Sequence, residues 1–459
     1  MTARRTLLII LVASFAAAAF ALPVPDETPA NVLPALALTI FTVGLWATGA
    51  LPEYVTALVF FAIALAFSIA PAEAIFSGLG SGAFWMVVGG MIIGVAADRT
   101  GLGRYLAHFF TRSLDASYPQ IIAGIVIGAV VLAFLIPSSM GRLVILMPIV
   151  LGLADNLGFG PGTKGRIGMA TATNFATFFV PLTILPANLP NIVLAGMADT
   201  LYDISITYGV YLLMNFPVLG VIKGAILIVL ICYLFPAKIQ KTNDQNEAPL
   251  GLDADGKRLA IILSIALIAW ATDFIHGISP GSVAMIAALF CFIPGLCVIG
   301  YDDLKTSIGY QTLLYVIAIL GVGAVISSSG AGSVIADEIL KIVKFTPDNS
   351  AHTYAAFSGL SMGFAMFSTL PGAITIVAPF AGQVAESTGL SVIVVLMMIV
   401  NGFSTIFLPY QSAPIMVGLR LGNVSLANGV RLILPLGLIS LVFLLPLNFL
   451  WWRLLGYLP

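Results

Sequence analysis

The stretch PSSMGRLVILMP, residues 137–148, follows sixteen uncharged residues from Gln120 through Leu135 and precedes a second apolar segment. It contains Arg142, a permanent cation, with no acidic residue between Asp115 and Asp155. A Pro-Ser-Ser-Met-Gly turn inside hydrocarbon leaves backbone groups unpaired unless it faces protein or a water-filled cavity. The pattern therefore predicts a re-entrant hairpin, with one helix over 120–136, a tip at 137–142 and a return helix over 143–155.

Composition supports the membrane setting. Of 459 residues, 60% are hydrophobic and 8% charged, against about 25% charged in ordinary soluble domains. Apolar runs recur along the whole chain, and about 20 apolar residues cross a bilayer as a helix. The expected class is an all-α polytopic membrane protein. A net charge of −1 gives no sign of nucleic-acid binding. Cys232, Cys291 and Cys297 show no metal or pairing spacing and suit packing. His108, His276 and His352 form no motif.

The linker KIQKTNDQNEAPLGLDADGKR, residues 238–258, lies near the middle of the chain, and similar segments flank it. GVAADRTGLGR (94–104) matches GAVISSSGAGS (323–333), with Gly94, Gly101 and Gly103 each 229 residues before Gly323, Gly330 and Gly332. PSSMGRLVILMP matches STLPGAITIVAP (368–379), placing Gly141 on Gly372 and Pro148 on Pro379. LPANLPNIVLAG (185–196) resembles LPYQSAPIMVG (408–418). Three matched pairs in one order predict an internal repeat, inverted by an odd number of crossings. Inverted repeats with broken helices are the architecture of secondary transporters.

The expected organisation is a first helix and linker over 1–30, a first repeat over 31–237 and a second over 259–459. The first repeat holds a hairpin at about 118–155 and an unwound helix at about 166–196. The second holds a hairpin at about 351–386, with its tip at 368–372, and an unwound helix at about 390–419. Lysine and arginine set the orientation. With the N-terminus cytoplasmic and the C-terminus outside, 14 of the 19 basic residues fall on the cytoplasmic side, three outside and two (Arg142 and Lys223) within apolar segments. The first helix is expected uncleaved, although Ala19-Phe20-Ala21 imitates a signal-peptide cleavage site.

Helices that begin at the hairpin tips aim free N–H groups and the positive dipole end at the cavity. Ser138, Ser139, Ser368 and Thr369 add neutral donors, and the Pro-interrupted helices offer Asn188, Asn191, Gln411 and Ser412. This set is rich in donors, contains no carboxylate and suits an anion, while carbonyls freed by the prolines suit a cation.

Nearly the whole chain resembles the divalent anion/sodium symporter (DASS) family of the ion transporter superfamily. The likeness rests on LPEYVTALVFF (51–61), GGMIIGVAADRTGLGRYLA (89–107), the two hairpin blocks, FLPYQSAPIMVG (407–418) and LILPLGLISLVFLLPLNFLWWRLLGY (432–457). It implies about eleven crossings, two re-entrant hairpins and a homodimer in which a transport domain moves like an elevator against a scaffold. It also implies dicarboxylate, citrate or sulfate as cargo, moved with sodium or by exchange. Taken with the residue reading, it leads to expected anion contacts at Ser138, Ser139, Ser368, Thr369, Gly372, Asn188, Gln411 and Ser412, and at Arg142, which stands where the family signature usually continues with small residues. Sodium contacts fall at Ser138, Gly141, Asn188, Asn191, Thr369, Gly372 and Gln411. The family's Ser-Asn-Thr triplets are replaced here by Ser138-Ser139-Met140 and Thr369-Leu370-Pro371. Sodium symport, proton coupling and anion exchange therefore stay open.

A buried arginine costs at least about 2.5–3.5 kcal/mol, so Arg142 is expected to bind the anion bidentately or to supply the charge of a sodium ion, the alternative being that it packs against polar carbonyls or snorkels toward the cytoplasm. Lys223 is expected to snorkel outward, Trp451-Trp452-Arg453 to anchor at the interface, and Asp337–Lys344 to form a surface helix. No catalytic dyad or metal cluster points to an enzyme. A passive channel and an intramembrane enzyme are the alternatives, and trans-stimulated counterflow distinguishes a carrier from both.

Overall fold

Helices follow one another from end to end, as an apolar chain without water must satisfy its backbone locally. The computed structural model describes residues 3–21, 29–106, 117–239, 251–293 and 298–459, apart from Tyr301, Leu304, Thr306, Ser307, Lys344, Thr346 and Asp348. Among them every regular element is helical. Most of the 238–258 linker, together with His108, Arg112, Cys297 and Lys344, lies outside the described residues.

Among the described residues six helices are long and apolar enough to cross a bilayer: Gly82–Thr100, Tyr118–Leu135, Ser139–Asn156, Tyr208–Leu234, Tyr310–Ser328 and Leu426–Leu454. Four shorter apolar helices join them, Val32–Thr48, Glu53–Ala66, Pro280–Phe290 and Val392–Ser404. The N-terminal helix runs Ala3–Ala17 and tightens to 3₁₀ geometry over Ala18–Ala21. Ala331–Ile342 is a helix in the region where a surface helix was expected.

Two sets of elements recur in order. The first hairpin is Tyr118–Leu135 followed by Ser139–Asn156; a broken helix, Lys164–Ala176 and Leu189–Tyr202, comes next, then the long helix Tyr208–Leu234. In the second half Ser350–Phe367 is followed by Leu370–Val377, then Val392–Ser404 and Ala413–Leu421, then Leu426–Leu454. Both long helices carry π-helical turns, at Phe216–Ile222 and Ser440–Leu444.

Pro217 explains the first of these turns. Lacking an N–H, it frees the Leu213 carbonyl, which accepts from the Trp451 indole at 2.8 Å, while Trp452 Nε1 donates to Met214 O at 2.8 Å. The tryptophan pair thus ties the two long helices together. Trp452 is fully buried, which corrects its expected role as an interfacial anchor: an unpaired carbonyl in the interior is the better partner for its N–H.

Small residues set the closest approaches. A methyl group on Gly281 would overlap the Gly82 carbonyl, because helices Pro280–Phe290 and Gly82–Thr100 touch through their backbones. Charged residues near the surface find acids: Arg99 pairs with Asp303 at 2.5 Å, Arg258 with Asp255 and Lys305 with Asp302 at 2.8 and 2.7 Å, and Arg166 with Asp155. The Arg99 hydrogen bond holds the Asp303 carboxyl below its usual range. The two buried cations, Arg142 and Lys223, pair with no acid among the described residues.

Candidate functional site

The first hairpin turns over only three residues. The Ser138 hydroxyl accepts from Gly141 N–H at 3.1 Å and so caps the second arm, which begins at Ser139. A serine N-cap starts a helix at once, so the expected tip at 137–142 shortens and Arg142 stands in the first turn of the returning arm. The second hairpin repeats the device: Thr369 Oγ1 accepts from Gly372 N–H at 3.2 Å. Ser138, Ser139, Ser368 and Thr369 are all half-buried, and Ser368 Oγ makes no hydrogen bond in the protein.

The first helix break runs from Thr177 to Asn188 and is buried throughout. Its carbonyls are held by side chains instead of a helical ladder. Asn188 Nδ2 donates to Phe178 O at 3.0 Å; Asn191 Nδ2 donates to Pro181 O and Ile184 O at 2.9 and 2.7 Å; the Tyr211 hydroxyl donates to Leu182 O at 2.8 Å.

Arg142 completes this break. Its Nη1 donates to Ile136 O at 2.5 Å and to Ala187 O at 3.0 Å; its Nη2 donates to Thr177 O and Asn188 Oδ1, both at 3.0 Å. Four of its five N–H bonds are therefore committed, and only Nε lacks a partner. The guanidinium is 0% exposed. All its acceptors are neutral oxygens, the kind of set that a hard cation takes. Ser138, Gly141, Arg142 and Asn188 are thus gathered at one point, and a fork already filled by carbonyls has no pair of donors left for a carboxylate.

The second break is more open. Phe407 and Leu408 are half-buried, and Tyr410 and Ala413 are exposed. Gln411 stands where Asn188 stands in the first, 223 residues earlier. Its Oε1 accepts from Phe407 N and Leu408 N at 3.0 and 2.9 Å, and its Nε2 donates to Ala365 O, at the end of the second hairpin's first arm, at 3.0 Å. Tyr410 Oη donates to Met366 O at 3.0 Å. The neighbouring Ser412 hydroxyl is buried and unpartnered.

Two residues connect the breaks. Asn174, at the end of Lys164–Ala176, donates from Nδ2 to Ile415 O in Ala413–Leu421 at 3.0 Å. A methyl group on Gly418 would overlap the Asn174 amide, so the broken helices cross at that glycine. Lys223 is 1% exposed. Its Nζ donates to Ser404 O, the last residue before the second break, at 2.5 Å, and lies 4.9 Å from the ring centroid of Phe179, inside the first break. Expected to snorkel, it instead sits between the two interruptions. Among the described residues no three His, Cys, Asp or Glu side chains cluster as a metal site.

The sodium:sulfate symporter transmembrane-region model matches residues 2–458. The chain belongs to that family. It is a multi-pass membrane transporter, not an enzyme. Relatives of the symporter family include a membrane protein of Cupriavidus necator, 22% identical over 396 residues that make up 83% of this chain and 76% of that one. The inner membrane protein YbhI of Escherichia coli is 26% identical over 55% of each chain. The sodium-dependent dicarboxylate transporter SdcS of Staphylococcus saprophyticus is 21% identical over 59% of this chain and 56% of its own. In fold the chain is similar to the Alcanivorax borkumensis YdaH transporter, with a TM-score of 0.59, 16% identity and coverage of 94% and 99%.

Of the residues singled out in the sequence, Arg142 and Asn188 meet directly, while Asn191 and Gln411 each brace their own break. Asn174 was not among them, and Lys223 was expected only to snorkel. Their signal was the same as that of Arg142, a polar side chain within an apolar run. Asn401, three residues before the end of Val392–Ser404, serves helix packing: its Nδ2 donates to Ser358 Oγ at 3.1 Å and its Oδ1 accepts from Asn448 Nδ2 at 3.0 Å.

Proposed function

We propose that the protein carries a small dianion (a dicarboxylate, citrate or sulfate) across the cell membrane by alternating access, with Arg142 as a tethered cation in place of one bound sodium ion. The observation that carries this reading is the Arg142 guanidinium, held by four neutral oxygens and, among the described residues, paired with no acid. An ion site made of helix-break carbonyls normally loads and unloads; a covalently attached cation does not. The positive charge then attracts the anion through the field of the pocket, while the half-helix N-termini and the hydroxyls of Ser139, Ser368 and Ser412 make the direct contacts.

The two similar halves are read as an inverted repeat, with hairpins over 118–155 and 351–386. The hairpins, the broken helices and the long helices Tyr208–Leu234 and Leu426–Leu454 bound to them move together as an elevator against the other helices, within a homodimer surrounded by lipid, with the N-terminus cytoplasmic. The family's sodium:sulfate description and the sodium dependence of SdcS support the transport class. The replacement of both Ser-Asn-Thr triplets supports weaker sodium coupling, with exchange of one anion for another as the working mode.

Purified protein in proteoliposomes, tested with labelled succinate, citrate and sulfate, with and without a sodium gradient, checks the proposal. Counterflow stimulated by internal anion is expected. A conductance that ignores internal anion would replace the carrier by a channel.

A further inference from the structure

The carrier reading above leaves one buried cation unused, and it occupies the more central position. Lys223 lies on the long helix Tyr208–Leu234, directly after the π-helical turn Phe216–Ile222. Such turns rotate the following residues relative to the preceding face and are frequent at functional sites. The rotation places Nζ between Phe179 of the first break and Ser404 O at the second. The Ser404 carbonyl ends a half-helix, where the dipole is negative. It is the counterpart of Thr177 O, which ends the first half-helix and receives Arg142. At both ends the oxygen that would attract a free cation already has an attached one.

The charges around this pocket do not cancel. Among the described residues the buried charged side chains are Arg142, Lys223 and Asp273. Asp273 Oδ2 accepts from Tyr208 N–H, fifteen residues before Lys223 on the same helix, or about 22 Å at 1.5 Å per residue. Arg166, on the first half-helix, is paired with Asp155 near the surface. Arg431 packs over Phe235, beyond the far end of Lys223–Leu234. Two uncompensated positive charges therefore stand at the helix breaks.

We propose that Lys223 is a built-in cation at the second break, as Arg142 is at the first, and that these two fixed charges, instead of bound ions, select a doubly charged anion. With a dianion bound the pocket is neutral and crosses the low-dielectric region cheaply. Empty, it carries two positive charges, so its return is slow and one dianion is exchanged for another. A monoanion leaves one charge uncompensated, and sodium has no vacant place to fill.

The test uses the full-length protein in vesicles loaded with unlabelled succinate or sulfate. Uptake of the labelled dianion is measured against two singly charged analogues, succinamate and methyl sulfate, as competitors. The wild-type protein is expected to exchange the dianion equally in sodium and choline buffers, with the monoanion at least about tenfold weaker, as expected for one missing unit charge at close range. Lys223→Met is expected to erase most of that preference, and Lys223→Arg to retain it. A Lys223→Met protein that exchanges with unchanged preference overturns this inference and leaves the carrier reading standing. Should Lys223→Met fail to fold, the wild-type assay decides: accumulation into unloaded vesicles driven by sodium overturns the two-cation pocket, and sodium-indifferent exchange supports it. If the wild-type protein exchanges none of the anions, the carrier reading itself falls and this one with it.

Discussion

The two helix breaks share a sequence pattern and differ in what holds them. The first, LPANLP (185–190), is buried except for the half-buried Leu189, and the hairpin reaches into it through Arg142. The second, LPYQSAP (408–414), is partly open, and it reaches back to its hairpin through Gln411 and Tyr410. The direction of the contact is reversed between the halves. One break is a sealed joint with its charge built in. The other keeps an unpartnered hydroxyl at Ser412 and exposed side chains at Tyr410 and, on the neighbouring hairpin, Phe367 (60% and 84%). Sealing suits a part that holds a constant charge, and openness suits the part that admits cargo.

The largest effect should come from emptying the sealed break. Arg142→Met leaves Thr177 O, Ala187 O and Asn188 Oδ1 without their donor and Ile136 O with the Ser138 N–H alone, at about 1–3 kcal/mol for each buried group left unpaired. Loss of anion uptake and a large drop in thermal stability in detergent are expected, with Arg142→Lys recovering part of both. Wild-type uptake by the Met variant would end the idea of a charged joint.

An intermediate effect is expected at the crossing of the two breaks. Gly418→Ala drives a methyl group into Asn174, and such overpacking costs about 1–3 kcal/mol. Adding Asn174→Ser should relieve it, so the two changes together should disturb stability less than their sum. Strict additivity would mean that the breaks are not in contact there.

Tyr410→Phe removes one exposed hydrogen bond to Met366 O, worth about 0.5–1.5 kcal/mol at most. A shift of less than about tenfold in apparent anion affinity is expected, in contrast to Arg142. A loss as severe as that of Arg142→Met would show that the open break is as rigid as the sealed one.

Much of this arrangement is legible in the sequence. Sixteen uncharged residues followed by Pro-Ser-Ser and an arginine announce an interrupted membrane segment with an unusual charge. The glycine and proline matches between the halves identify the interruptions in both. The finer geometry is not legible. Ser138 caps the returning helix, and that single hydrogen bond moves Arg142 from the tip into the helix and toward the first break. Trp452 looks like an interfacial residue until the Met214 carbonyl beside Pro217 is seen to accept its indole N–H.

The sequence by itself determined the medium, the helical class and the places where helices must break, because hydropathy and proline act locally on the backbone. Only the tertiary structure decided which oxygens surround Arg142 and that Lys223 stands between the breaks. Apart from the nearby Ile136 carbonyl, those contacts join residues 35 to 181 positions apart, and a buried cation takes whichever carbonyls the packed helices bring within reach.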